Sequence, residues 1–316
     1  MQRHHVQTLD ELDIALRGSS VTIGVFDGLH LGHQSIFDRL LSAAERRQSP
    51  SVCITFSVHP KSVLTNRTPQ HILSLEHRLE LIEALGVDVI IVIEFGPEIA
   101  QIEPERFVEE LLVRKLGIAE LIIGHDTTIG HNRRGDSKLL VELGLRHGFE
   151  VVTMGEVIVD GLTVSSTAVR RAIAAGELIT ARRLLGRPVS LLGQIVHGDG
   201  RGATLGFPTA NLEVTSEAFP PLGVYAVTAK CTLGSLPGVM NYGMRPTFRQ
   251  AAERAVFEVH LLDRTDLSLY GEQMEVSLHK YLRRERRFTG PDELKQQIHE
   301  DIAAARVVLD RISPAG

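Results

Sequence analysis

The sequence predicts two domains of different class. Residues 1–186 read as an α/β domain with a parallel, doubly wound sheet, and residues 187–316 as an antiparallel β-barrel or sandwich closed by one helix. Three observations carry that expectation. Up to about Gly186, short β-rich runs alternate with helix-length amphipathic segments, the pattern of parallel strands joined by crossover helices. Beyond Gly186-Arg187-Pro188, apolar and polar residues alternate singly, with Gly- and Pro-containing connections. Charge balance shifts at the same place: residues 1–186 carry 19 Lys and Arg against 24 Asp and Glu, whereas residues 187–316 carry 15 of each.

In chain order, strands are expected at 21–25, 51–56, 87–93, 120–123 and 150–153. Helices are expected at 34–48, 75–85, 104–116 and 137–147, where apolar residues recur at helical spacing. Pro104 suits a first helical turn, and Gly86, Gly117 and Gly148 suit helix stops. A sheet of this kind binds ligands at the carboxyl ends of its strands. The second half predicts strands at 189–197, 223–231, 255–262 and 274–281. A final helix over 292–312 has Leu294, Ile298, Ile302 and Val308 spaced to cover one face.

Composition narrows the function classes. The 316 residues suffice for two cores, and 43% hydrophobic with 23% charged residues excludes a disordered or collagen-like chain. No apolar run reaches the roughly 18–20 residues of a membrane span; the best, 87–95, contains Asp88 and Glu94. The N-terminal Met1-Gln2-Arg3-His4-His5 lacks a secretory core, and the two cysteines, Cys53 and Cys231, form no framework. A cytoplasmic protein with no membrane partner is therefore expected. A net charge of −5 argues against a nucleic-acid partner while allowing phosphorylated small molecules. With no Trp and 5% aromatic residues, any flat ligand must be gripped by few rings.

The first candidate site is Phe26-Asp27-Gly28-Leu29-His30-Leu31-Gly32-His33-Gln34, which leads from the first long strand into a helix. Gly28 and Gly32 permit tight turning, and the helix start offers free N–H groups to a phosphate. His30 and His33, three apart, face one way on a first turn and can stabilise charge during nucleotidyl transfer. A lone His-x-x-His more often marks a surface turn, and zinc would call for nearby Cys or Glu ligands. Position after the strand favours the phosphate reading. Farther on, Ser165 or Ser166 can cap a helix, and Arg170 adds a fixed charge suited to a polyphosphate.

The run Gly24-Val25-Phe26-Asp27-Gly28-Leu29-His30-Leu31-Gly32-His33-Gln34 resembles the nucleotidylyltransferase signature of bacterial bifunctional riboflavin kinase/FAD synthetases. These carry a Rossmann-like domain of the HxGH superfamily. Thr55-Phe56-Ser57-Val58-His59-Pro60 and Val164-Ser165-Ser166-Thr167-Ala168-Val169-Arg170 resemble two further segments of that family. The resemblance implies ATP contacts at Gly24, Phe26, Asp27, Gly28, Gly32, Ser165, Ser166, Thr167 and Arg170. It implies flavin contacts at His59, Pro60 and Asp126. One segment departs: the family commonly has Gly-x-Asp-Phe-x-Phe-Gly, and here Thr127 and Ile129 replace both aromatics between Gly124 and Gly130. A lost ring contact costs ~0.5–1.5 kcal/mol beyond lost area, which weakens expected FMN binding, with His125 a partial substitute.

In the second half, Gly193-Gln194-Ile195-Val196-His197-Gly198-Asp199-Gly200-Arg201-Gly202 mimics a dinucleotide fingerprint, but Pro208 breaks the helix that would have to follow. A glycine flap over phosphates needs no helix. Thr209 and Asn211, two apart in an extended segment, present hard oxygens suited to Mg²⁺. The segment from Gly193 to Leu212 resembles the riboflavin kinase nucleotide loop. Gly223-Val224-Tyr225, Asn241 to Phe248, Phe257 to Asp263, Leu269-Tyr270-Gly271 and Leu282 to Phe288 follow in the family's order.

The resemblance implies a six-stranded barrel, ATP contacts at Gly193, His197, Gly198, Gly202 and Pro208, Mg²⁺ on Thr209 and Asn211, and Glu258 as general base. Arg283 is the modest candidate for a flavin contact within a basic loop. The implied function is phosphorylation of riboflavin to FMN by ATP and adenylylation of FMN to FAD, with riboflavin, FMN, FAD and ATP as partners. The alternative is a riboflavin kinase whose first domain only binds nucleotide. A non-catalytic flavin- or nucleotide-binding module is the reading from a different class.

Overall fold

A computed structural model describes residues 1–58, 70–198, 201–216, 218–246, 253–264 and 269–312. The chain forms two compact units, residues 1–71 with 75–166, and residues 72–74 with 167–316.

The first unit is built on a six-stranded parallel sheet. Its strands are β1 (Gln2–Val6), β2 (Ser19–Ile23), β3 (Ser51–Phe56), β4 (Val89–Ile93), β5 (Ile118–Gly124) and β6 (Glu150–Met154), in the order β1-β4-β3-β2-β5-β6. Strands β2 to β5 are buried almost throughout, as parallel strands covered on both faces must be. β1 escapes the sequence pattern because Gln-Arg-His-His reads as polar; it pairs at the sheet edge with β4.

The helices of this unit are α1 (Leu31–Arg47), α2 (Leu75–Ala84), α3 (Pro97–Ala100), α4 (Pro104–Phe107) and α5 (Ser137–His147). α4 runs on as a π-helical stretch, Val108–Lys115, instead of the regular helix expected. Its buried residues, Val108, Leu111 and Leu112, keep one side of the stretch on the core. Strand order reverses between β2 and β5, so the crevice for a ligand lies where these two strands end.

At the opposite edge of β5, Glu120 is fully buried and lies in register beside Glu150. Arg39, Arg46 and Arg47 of α1 neutralise Glu120 at 2.5, 3.4 and 3.1 Å, and Arg47 also reaches Glu150.

In the second unit, α6 (Ser166–Ala174) and α7 (Leu178–Leu185) precede a closed antiparallel barrel. Its strands are β9 (Val189–Val196), β10 (Ala210–Val214), β11 (Gly223–Cys231), β12 (Gly234–Pro246), β13 (Glu253–Leu261) and β14 (Gln273–Arg283); a short hairpin, β7 (Ile158–Val159) with β8 (Leu162–Thr163), belongs to the first unit. The barrel closes in the order β10-β13-β12-β11-β14-β9. α8 (Arg201–Thr204) sits in the loop after β9. α9 (Pro291–Leu309) lays Ala305 and Leu309 against Ala226 and Leu262, joined by Val239, Leu282, Ile302 and Val308. Among the described residues, no helix is long and apolar enough to cross a membrane.

Removing the Glu120 carboxylate leaves three guanidinium groups at one edge without their shared partner. Glu120→Ala should cost about 1.5–3 kcal/mol, chiefly the charge-assisted hydrogen bonds lost, since Arg39, Arg46 and Arg47 are partly exposed and keep some hydration. Urea unfolding of the full chain measures this, and an unchanged midpoint would contradict the assigned role.

Candidate active sites

The loop after β2 has a strained backbone. Phe26 and Leu29 hold φ of 54° and 40°, in the left-handed region that large side chains avoid. Gly28, at φ 82°, is the one position there that needs glycine for its backbone. The Phe26 ring explains how the strain is held. It is buried, packs on Phe37 at 4.8 Å and meets His33 edge-on at 5.3 Å. Gly24 is bare for the same reason: a Cβ there would come 2.9 Å from the Phe26 ring.

His30 is the N-cap of α1, with extended backbone, and its Nδ1 accepts the N–H of His33 at 3.3 Å. That acceptor role assigns the proton of the neutral ring to Nε2. The two imidazoles stack at 3.6 Å and 18°. Gly32 permits this, since a Cβ would lie 3.2 Å from the His30 ring. His33 Nδ1 is shielded from solvent and has no hydrogen-bond partner among the described residues. Burial first, then His30 and Arg78, hold the His33 imidazole well below its ordinary 6.5.

The serine segment comes to the same loop. Ser166 Oγ donates to the Asp27 carbonyl at 2.9 Å, and the Val164 carbonyl lies 3.9 Å from where a Gly32 Cβ would be. Ser166 therefore bonds the loop, and Ser165, the other cap candidate, directly precedes the helix. Thr167 and Arg170 lie in the first turns of α6, which opens at Ser166. Asp27 is buried. His59 and Pro60 lie outside the described residues.

After β5, Asp126 is exposed and Thr127 closes the turn, its Oγ1 accepting the Gly124 N–H at 3.1 Å. Ile129 is a core residue, 7% exposed and packed among the sheet's apolar side chains. Its bridge to Gly135 fixes it there. The residue that stands in place of the family's second ring thus belongs to the sheet's apolar core. His125, the suggested stacking substitute, is exposed and faces Glu156 at 3.4 Å.

Sequence reading missed Arg78. Its guanidinium, 1% exposed, donates to the Val25 carbonyl at 2.8 Å and the Phe56 carbonyl at 2.5 Å. The available signal was an arginine in the stripe of α2 that buries Leu79 and Ile82.

The barrel site lies on the wall's outer face. Phe257, Val259 and Leu261 fill the interior, so the alternate residues Glu258 and His260 project outward. In register, Glu258 stands opposite Asn211 on β10 and Asn241 on β12. Directly paired residues of antiparallel strands share a face, so the three form one polar row. Asn241, a second residue that sequence reading left out, donates from Nδ2 to Glu285 Oε1 at 3.4 Å.

The nucleotide-loop candidates gather at the end of this row. A Cβ on Gly198 would overlap the Asn211 carboxamide, and one on Gly202 would overlap the Phe207 carbonyl and lie 3.2 Å from Thr209 Oγ1. His260 Nδ1 donates to the Pro208 carbonyl at 2.8 Å, anchoring the loop to β13. The Phe207 ring lies edge-on to both His260 and His299. His197 is exposed and stacks on Tyr270 at 3.9 Å.

Two candidates have structural duties. Gly193 is buried within β9, where a Cβ would be 2.9 Å from the Glu213 carbonyl, so barrel packing accounts for this glycine. Arg283 pairs bidentately with buried Asp301 of α9 at 2.8 and 2.7 Å and gives its third nitrogen to the Arg284 carbonyl. Its guanidinium clasps the last helix.

The depressed His33 gives a pH expectation. A base whose folded-state affinity for protons is lowered binds them more readily when unfolded. Stability from this group is thus full above the ordinary 6.5 and declines as pH falls below it toward the lower folded value. Imidazole NMR of the folded chain should show His33 still neutral at pH 6; a titration midpoint near 6.5 would refute the shielding.

Comparison with known proteins agrees with both halves. Residues 13–168 match the FAD synthetase family and residues 185–309 the riboflavin kinase family. Bifunctional riboflavin kinase/FMN adenylyltransferase of Escherichia coli K12 is 38% identical over 301 residues, spanning 94% of this chain and 95% of that protein. The Pseudomonas fluorescens protein of the same name is 38% identical over 303 residues, spanning 96% and 97%. A crystal structure from Streptococcus pneumoniae, described as a macrolide-efflux protein, superimposes with a TM-score of 0.82 at 29% identity, over 96% and 98% of the two chains. That description is of the pneumococcal protein; the likeness bears on the two-unit fold. With both family matches in order and a strained histidine loop and a polar barrel row in the corresponding halves, the chain belongs to the bacterial bifunctional riboflavin kinase/FMN adenylyltransferase family.

Proposed function

We propose that this chain makes FMN from riboflavin and ATP in its barrel, and FAD from FMN and a second ATP at the crevice of its parallel sheet. The observation that carries this reading is that both constellations are assembled in one chain: His30 and His33 at the start of α1, and Glu258 in register with Asn211 on the barrel. The functional division falls near Gly186, which ends α7 in a left-handed conformation, and the chain works in the cytoplasm with both cysteines free.

In the barrel, the ribityl 5′-hydroxyl attacks the γ-phosphorus of ATP. The new O–P bond forms as the bond from the γ-phosphorus to the β,γ-bridging oxygen breaks, and ADP leaves. Glu258 takes the hydroxyl proton and orients the attacking oxygen. His197, Gly198, Gly202 and Pro208 belong to the loop over the phosphates, and Gly193 supports it from within β9. The backbone of Gly198 and Gly202 packs closely on the Asn211 carboxamide and on Thr209, whose side-chain oxygens are of the hard type that suits a small cation. Thr209 and Asn211 would hold Mg²⁺, which when bound offsets charge on the phosphates. Arg283 acts by holding the segment after β14.

At the sheet, a phosphate oxygen of FMN attacks the α-phosphorus of ATP, and pyrophosphate leaves as the α,β bond breaks. The start of α1 and the His30 imidazole serve the developing negative charge. A largely neutral His33 beside it packs the His30 ring in place. Gly24, Phe26, Asp27, Gly28 and Gly32 shape the ATP side, with Ser165, Ser166, Thr167 and Arg170 serving the polyphosphate. His59, Pro60 and Asp126 serve the flavin.

Chromatography of products from riboflavin, ATP and Mg²⁺ tests both halves at once. The wild-type chain should yield FMN and FAD. Glu258→Gln should lower phosphorylation by about 100-fold or more while FMN supplied directly is still adenylylated. His30→Ala with His33→Ala should lower FAD formation by about 100–1,000-fold and spare FMN formation. Near-normal turnover by Glu258→Gln would remove the base assignment, and FAD formation unaffected by the histidine pair would favour a different adenylylating centre.

A further inference from the structure

Neither reaction accounts for the cation buried beside the histidine loop. Arg78 is almost wholly buried on the side of α2 that also buries Leu79 and Ile82, a setting that disfavours charge unless something close by requires it. Its two terminal nitrogens reach two different strand ends: Val25, just past β2, and Phe56, the last residue of β3. These neighbours are parallel, so both carbonyls lie at the end of the sheet where ligands bind. Val25 also accepts the Thr55 hydroxyl at 3.3 Å and directly precedes Phe26, the first left-handed residue of the loop. The third nitrogen, Nε, is buried without a hydrogen-bond partner among the described residues.

We propose that Arg78 is a positioning residue for adenylyl transfer: it clamps the ends of β2 and β3 together and thereby holds the His30/His33 loop in its working geometry. The inference rests on reading the first unit as the adenylylating one. Electrostatics agree with the geometry. The groups felt at His33 are His30 from the loop and Arg78 from α2, both opposing a proton there. Asp27 from the loop favours the Arg78 charge against the effect of burial, while Cys53 of β3 beside it is held as a neutral thiol by its own burial. The clamp thus joins the loop's position to the proton state of its second histidine.

The test uses the full chain with Arg78→Met and Arg78→Lys, and measures kcat and KM for FAD formation from FMN and ATP across pH. Riboflavin phosphorylation in the same samples reports folding. Arg78→Met should lower kcat for FAD formation by about 100-fold, the scale of a small misplacement of reacting groups, with phosphorylation within about twofold of wild type. With the positive charge gone, protonation of His33 becomes easier and the acid limb of the FAD profile moves to higher pH. Arg78→Lys keeps the charge and at most part of the double anchor. It should lose about tenfold in kcat with the acid limb unmoved.

FAD formation by Arg78→Met within about threefold of wild type, or a loss with an unmoved acid limb, overturns the inference. If Arg78→Met loses both reactions through misfolding, Arg78→Lys decides. A selective loss of FAD formation supports the clamp, whereas no loss, or equal loss of both reactions, overturns it. A wild-type chain that makes no FAD at all would instead sink the adenylylating reading itself.

Discussion

The adenylylating site depends on how little chain separates a buried strand from a helix. Between Ile23, the end of β2, and Leu31, the start of α1, the backbone must reverse its pattern and deliver a helix N-terminus pointing at the crevice. Phe26 and Leu29 in left-handed conformations are the local cost of that short route. A longer loop would relieve them. It would also let the helix start drift, and with it the N–H groups and the His30 ring. Strain survives because Phe26 is over-determined by Phe37, His33 and the bare face of Gly24, so distortion and precision come from the same contacts.

The barrel positions its chemistry by a different principle. Nothing around Glu258 needs an unusual backbone; it sits on an ordinary strand whose odd-numbered neighbours fill the interior. Hydrogen-bond register then brings Asn211 and Asn241 alongside from two other strands. The loop above is secured by a few polar ties, chiefly His260 to Pro208. One site is thus held by local strain and the other by long-range pairing.

That contrast explains what could be read from the sequence. Parallel strands, crossover helices and the closing helix were visible as periodicity, and the histidine loop was visible because every residue of it is contiguous. β1 was hidden by its polar Gln-Arg-His-His composition, since its place comes from pairing with β4. Asn241 was hidden because its importance lies in standing opposite Glu258, and pairing across strands is not written in either strand. The place of Ile129 in the core was hidden because a one-dimensional motif does not say which side chains face inward. Arg78 was overlooked for a similar reason: its partners are carbonyl groups, which every sequence possesses and none displays.

Closure of the barrel has a consequence for how this protein can change over time. Each of the six strands is paired on both sides, and the last pairing returns to the first. The offsets between neighbours must therefore sum consistently around the ring, and no strand can slide alone. A residue inserted within β13 would turn Glu258 toward the interior and Phe257 or Val259 outward, unless a bulge absorbed it at once. Connections can lengthen without that penalty, whereas an insertion inside a strand has to be taken up by a local irregularity of the kind already present between β11 and β14.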